Sequence, residues 1–164
     1  MLATAWTALW FLPAVTAIGI WVAWSDMKFM RIPNKAVMAM LLAYLVFGPI
    51  ALPFQTWLWG WALGAAVLAV GFVSTAAGLM GGGDAKYAAG MAPFLIGADW
   101  RVLVALFAAC LLAAFTAHRL MGLVPAFRRA TGDWESWQRN DFPMGLALAG
   151  TIIFYFSLSI LFSA

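Results

Sequence analysis

VLVALFAACLLAAFTAHRLM, residues 102–121, meets no charged side chain before Arg119. At 1.5 Å of rise per residue, about 20 helical residues cross the roughly 30 Å of bilayer hydrocarbon, so such a stretch reads as a membrane span. Similar stretches recur along the 164 residues. The sequence predicts an all-α, polytopic integral membrane protein with six transmembrane helices, over about residues 4–24, 36–52, 56–80, 85–96, 102–121 and 144–162. Composition agrees, with 66% hydrophobic and 9% charged residues against roughly 25% charged in an ordinary soluble domain. Ten Trp and thirteen Phe add to this, because Trp gathers where helices leave hydrocarbon for headgroups. A lipid bilayer is therefore the expected solvent.

The fourth stretch, 85–96, is short for a span. Either its helix starts below the membrane surface or the bilayer thins around it, and both would let water reach residues 81–83. Assigning connections alternately to the two sides puts Lys28, Arg31, Lys35, Lys86, Arg119, Arg128, Arg129 and Arg139 on one side and Arg101 alone on the other. The positive-inside rule then makes the first side cytoplasmic and leaves both termini outside. Dropping the fourth span would move Arg119, Arg128, Arg129 and Arg139 to the wrong side, so six spans are favoured over five.

The net charge of +3 is explained by that loop bias, and no nucleic-acid partner is indicated. Cys110 is the single cysteine, which excludes a disulfide framework or a cysteine metal site within one chain; in its apolar run it reads as a packing residue. No Lys or Arg precedes the first apolar run, the reverse of a secretory signal, so that run reads as a retained span. With no repeat or soluble linker visible, residues 1–164 read as one membrane-embedded domain. The connection 124–142 mixes Arg128, Arg129, Asp133, Trp134, Glu135, Trp137 and Arg139, which suits a cytoplasmic segment lying on headgroups.

Six acidic residues limit the possible chemistry. Asp99 reads as a helix N-cap, Asp133, Glu135 and Asp141 as solvated charge, and His118 as a cation closing a helix. Asp26 and Asp84 differ, since each stands at the cytoplasmic end of a span beside backbone-distorting residues. Asp26 opens DMKFMRIPNK, where Pro33 disfavours helix at Ile32 and Asn34 can cap the next helix. Asp84 ends GGGD, and consecutive glycines permit positive φ and close approach of another chain. Two carboxyls close together cannot easily both ionise, so one remains an acid while the other serves as a base. Such a pair can activate water against a peptide carbonyl with no metal, cofactor or covalent intermediate. No HExxH, Walker loop or dinucleotide fingerprint competes with it.

At these residues the chain resembles the type IV prepilin peptidases, membrane aspartic proteases with a G-x-G-D motif. Asp26 precedes Ile32, Pro33 and Asn34 at the family's spacing; Gly81, Gly82, Gly83, Asp84 and Lys86 match its second motif; Pro143, Met144 and Gly145 match a Pro-x-Gly at the start of the last span. The resemblance implies that Asp26 and Asp84 are the catalytic dyad. It implies cleavage of the basic leader of a pilin-like precursor at the cytoplasmic face of the inner (plasma) membrane. The chain lacks the paired cysteines and extra region that accompany N-terminal methylation in longer members, and resembles the short form associated with Flp or Tad pili, where only cleavage is expected.

Around the dyad, Gly81, Gly83, Pro33 and Asn34 are expected to shape the loops, and Lys86 to hold Asp84 ionised, meet substrate or snorkel to headgroups. Helix dipoles assign the resting proton to Asp26, at the end of a helix, rather than Asp84, at the start of one. Two other classes use the same features. A small proton-coupled transporter would place its acids near mid-membrane, and a non-catalytic assembly subunit would associate through small residues such as Gly60, Gly64 and Ala65.

Overall fold

The structure is a computed structural model, which describes residues 2–139 and 141–162. Seven α-helices form among these residues, with no strand: α1 (Ala5–Phe29), α2 (Asn34–Ala51), α3 (Phe54–Ala76), α4 (Gly82–Met91), α5 (Trp100–Leu123), α6 (Pro125–Ala130) and α7 (Met144–Phe162). Helices α1, α2, α3, α5 and α7 are long and apolar enough to cross a membrane. Their outward faces remain apolar, as at Phe72 and Leu112, 73% and 69% exposed; hydrocarbon, not water, suits such a surface.

The structure therefore has five full-length candidate spans rather than six. The expected fourth span is α4 continued by the 3₁₀ turn Ala92–Leu95. These rise together by about 23 Å, short of the roughly 30 Å of hydrocarbon. Pro93 stands in that turn, and a residue with no N–H and a fixed φ cannot continue the α-helical ladder.

Helix α4 runs back along α3 through three glycines. A Cβ on Gly71 would come within 2.9 Å of the Ala85 Cβ, one on Gly64 within 3.0 Å of Pro93 Cγ, and one on Gly60 would overlap the Tyr44 hydroxyl. The small-residue face of α3 is thus used within the chain. Where the helices meet, Phe94 packs edge-on against Phe11 at 4.8 Å and Tyr44 at 5.1 Å, contacts worth about 0.5–1.5 kcal/mol each beyond area burial. Tyr44 Oη donates to the Trp57 carbonyl (3.0 Å) and Trp57 Nε1 to the Tyr44 carbonyl (3.3 Å). That exchange satisfies two polar tips that would otherwise be costly to bury.

Helices α1 and α7 pack antiparallel. Gly145 lies against Asp26, Gly19 meets Ala149 and Ile153, and Phe11 meets Phe156 at 5.7 Å. The start of α1 and the end of α7 consequently share one end of the bundle. The end of α1 and the starts of α4 and α7 share the other, with Lys28, Arg31, Lys86 and Arg119 near them, whereas Arg101 begins α5 at the first.

Local boundaries departed from expectation in three places. Helix α1 runs five residues past position 24, ending where Met30 takes φ 47° and its N–H donates to the Asp26 carbonyl at 2.9 Å. Asn34 makes no capping hydrogen bond, because Pro33 occupies the N-cap position. Positive φ among glycines falls at Gly78 and Gly97, not at the run 81–83; Gly82 and Gly83 already belong to the first turn of α4. Asp99 caps α5 as expected, accepting from the Arg101 N–H at 2.9 Å.

Candidate active site

Asp26 sits in the last turn of α1, where the chain turns back on itself. Left-handed Met30 makes the reversal, a conformation that costs an ordinary L-residue roughly 1–2 kcal/mol. Ser25 Oγ then donates to the Arg31 carbonyl at 2.9 Å and ties the turn to the helix. Residues 31–34 so come to share a cavity wall with Asp26, which is buried.

The buried carboxyl is met from α7. The Gly145 N–H, in the first turn where amides have no intrahelical acceptor, donates to Asp26 Oδ2 at 2.7 Å. An oxygen accepting that bond does not itself carry a hydroxyl proton directed at Gly145. Only glycine permits the approach, since a Cβ at Gly145 would lie 2.9 Å from both Asp26 Cβ and Oδ2.

Asp84 reaches the same place from the first turn of α4. The contact of Ala85 with Gly71 holds that turn against α3. At Gly81 a Cβ would approach Asp84 Oδ2 to 2.7 Å, whereas at Gly83 it would meet Ile32 Cβ at an ordinary 3.5 Å. The glycine run serves close approach to Asp84, chiefly at Gly81.

Both aspartates line one cavity of about 820 Å³, together with Pro33, Asn34, Gly81, Gly83 and Lys86. The structure thus brings all seven residues singled out from the sequence to a single site. Trp21, Trp24 and Phe29 add an aromatic wall and Glu135 a further carboxylate. Sequence reasoning missed three parts: the role of Gly145, Glu135 at the cavity, and the tryptophan wall. Gly145 was visible only as part of Pro-x-Gly, and Glu135 looked like solvated charge. Lys86 is exposed and, among the described residues, forms no ion pair with Asp84, so nothing in the geometry has it holding Asp84 ionised.

Burial, and after it the negative charge of Asp26, pushes the Asp84 carboxyl from 3.8 up to about 6. At Asp84 this runs against the dipole expectation, which had the start of a helix lowering its proton affinity. A helix N-terminus favours an ionised carboxylate by only about 0.3–1 kcal/mol, and desolvation beside a second carboxyl outweighs it. Asp84 keeps its proton to higher pH than a free carboxyl does. Chemically the cavity therefore offers a buried carboxyl oriented by a backbone amide, a second carboxyl with an elevated affinity for protons, and room for an extended segment between aromatic walls.

Residues 13–118, well over half of the chain and including both aspartates, match the family model described as the type IV leader peptidase family. No curated protein and no solved structure matches the chain.

Proposed function

The chain belongs to the type IV leader peptidase family, so it is a multi-pass membrane protease, and from that premise we propose that Asp26 and Asp84 are its catalytic pair. The observation that carries this reading is that both carboxyls line one cavity and that Asp84 feels the charge of Asp26. In the proposed reaction a water between them attacks the scissile carbonyl. Asp26, oriented through Oδ2 by Gly145, takes the water's proton on its other oxygen. Asp84 donates its proton to the developing oxyanion; on collapse Asp26 passes the proton it took to the leaving amine nitrogen and a hydroxyl of the intermediate returns a proton to Asp84, so both carboxyls end as they began. No metal or cofactor enters the step.

The proposed substrate is a pilin-like precursor of the Flp type, cut at the cytoplasmic face of the inner membrane after its basic leader. Two features support it. Glu135 offers an exposed carboxylate to a basic leader at the cavity. Lys86 lines both this cavity and an adjoining apolar groove formed with Val37, Leu41, Trp61, Leu68 and Pro93, which suits the hydrophobic segment that follows the cut. Co-expression with such a precursor tests the reading: a shortened product is expected with the wild-type chain and not with either aspartate variant.

A transporter is less well supported, because the two acids stand at helix ends and not mid-membrane. An assembly subunit is disfavoured by the internal use of Gly60 and Gly64. All of residues 1–164 are proposed to form one peptidase domain.

The direction of titration gives a pH prediction. If Asp84 must be protonated and Asp26 ionised, kcat/KM follows a bell whose alkaline limb falls as pH rises through about 6 and whose acid limb reports the protonation of Asp26. Substrate filling the cavity removes more water from Asp84, so the alkaline limb in kcat lies at higher pH. A pH–rate profile checks this, and a rate that instead rises through pH 6 would reverse the assignment of acid and base.

We propose also that α4 and its 3₁₀ turn, shielded by α3 and α2, carry the chain across a thinned membrane as a sixth, short crossing, with the basic end cytoplasmic and both termini outside. With Cys110→Ala as background, Trp100→Cys, after α4, should react with an impermeant maleimide in intact cells and Leu79→Cys, before it, only after lysis. Reaction of both positions from the same side would contradict six crossings.

A further inference from the structure

A second recess, of about 280 Å³, opens at the aspartate end of the bundle between the end of α5 and the segment that follows it. Its walls include His118, Arg119, Arg128, Ser136, Trp137 and Arg139. His118 and Ser136 are 6% and 3% exposed. Among the described residues, His118 Nε2, Ser136 Oγ and the Nη1 of Arg128 are nonetheless buried without a hydrogen-bond partner. Buried polar atoms are normally satisfied. Three orphans at one recess mark a place where an outside group completes the bonding.

The recess is a built one. The His118 ring stacks on Trp137 at 4.3 Å and 16°, the Arg128 guanidinium lies 4.8 Å from the centroid of the same indole, and Trp137 Nε1 donates to Thr131 Oγ1 at 3.1 Å. These contacts hold the donors in fixed directions. The charge is cationic: Arg119 and Arg128 pair with no carboxylate among the described residues, and only Arg139 leans toward Glu135 (3.9 Å) and Asp141 (3.8 Å), both well exposed. Fixed guanidinium, hydroxyl and imidazole donors match a group with several anionic oxygens, and Arg is the side chain suited to phosphate. Basic recesses among helices at a membrane edge are where phospholipid headgroups bind.

We infer that this recess binds the phosphate group of an anionic ligand, a phospholipid headgroup or free phosphate, through Arg119, Arg128, His118 and Ser136. The 3₁₀ turn Glu135–Trp137 presents Ser136 and Trp137 to the recess and Glu135 to the aspartate cavity, so an occupied recess holds part of the rim of that cavity. The inference is independent of the peptidase reading, because its test reads binding alone.

The full-length protein, delipidated in detergent, is titrated with phosphatidylglycerol, phosphatidylcholine or inorganic phosphate, and bound ligand is counted by native mass spectrometry. Phosphatidylglycerol should be held about tenfold more tightly than phosphatidylcholine, and Arg128→Gln should remove about that preference, as expected on losing charge-assisted hydrogen bonds. Ser136→Ala, which changes no charge, should weaken retention in the same direction. Arg129→Gln removes the same charge one residue away from the recess walls and should leave most of the preference intact. Displacement of the lipid by millimolar phosphate would identify free phosphate as a ligand; no displacement, with the Arg128→Gln loss still present, would identify the headgroup. Equal retention of the two lipids, or equal losses in Arg128→Gln and Arg129→Gln, would overturn the inference in favour of general surface charge.

Discussion

Asp26→Asn and Asp84→Asn are each expected to stop conversion of a pilin-like precursor to its shortened product, with turnover falling by about 10²–10⁴-fold or more, the range contributed by one positioned acid or base. Asparagine keeps the size of the side chain but can neither take the water's proton nor supply one to the oxyanion. In Asp26→Asn the amide oxygen can still accept from the Gly145 N–H, which holds Asp26 Oδ2 at 2.7 Å, so the fold around α1 and α7 should survive. Because both groups act on one water, the double variant should be scarcely worse than the more damaged single variant. Quantifying the leader-free product in matched membrane preparations checks all three. Normal trimming by either single variant would contradict the proposed dyad.

Gly145→Ala and Gly81→Ala should come next in effect. The added methyl at Gly145 would lie 2.9 Å from Asp26 Cβ and Oδ2, and that at Gly81 2.7 Å from Asp84 Oδ2. Each would drive one carboxyl away from the shared water, and a shift of about 1 Å in a reacting group can cost about 10²-fold in rate. Gly83→Ala provides an internal control, because its methyl meets Ile32 at an ordinary 3.5 Å. The expected order is a large loss for the first two and a small one for the third, measured as kcat with membrane insertion shown to be equal. Equal losses at Gly81 and Gly83 would mean that loop flexibility, and not room beside Asp84, is what these glycines supply.

These contrasts also show why the sequence was legible in some places and not in others. Long apolar stretches report their own helices, since length and hydrophobicity act locally; the short α4 was visible as an anomaly for the same reason. The aspartate motifs could be read because Pro33 and the glycine run are local signals. What could not be read depends on distant contacts. Nothing near Met30 announces a left-handed residue, because the reversal is fixed by the path to Pro33 and by the Ser25 bond to Arg31. The tie between Gly145 and Asp26 joins residues 119 positions apart. The dipole argument misjudged the direction at Asp84 because it sees only the ends of one helix, while Asp84 answers to burial and to a carboxyl on another. Likewise Trp137 looked like a headgroup aromatic, and only the fold stacks it on His118.

The most direct test follows the ionisation of the Asp84 carboxyl by isotope-edited infrared spectroscopy in the wild-type protein and in Asp26→Asn. The account predicts a midpoint near 6 in the wild type. In the variant it predicts a lower midpoint, still above the ordinary 3.8 because burial persists while the neighbouring charge is gone. A midpoint that does not move when Asp26 loses its charge would mean that the two carboxyls do not share a site.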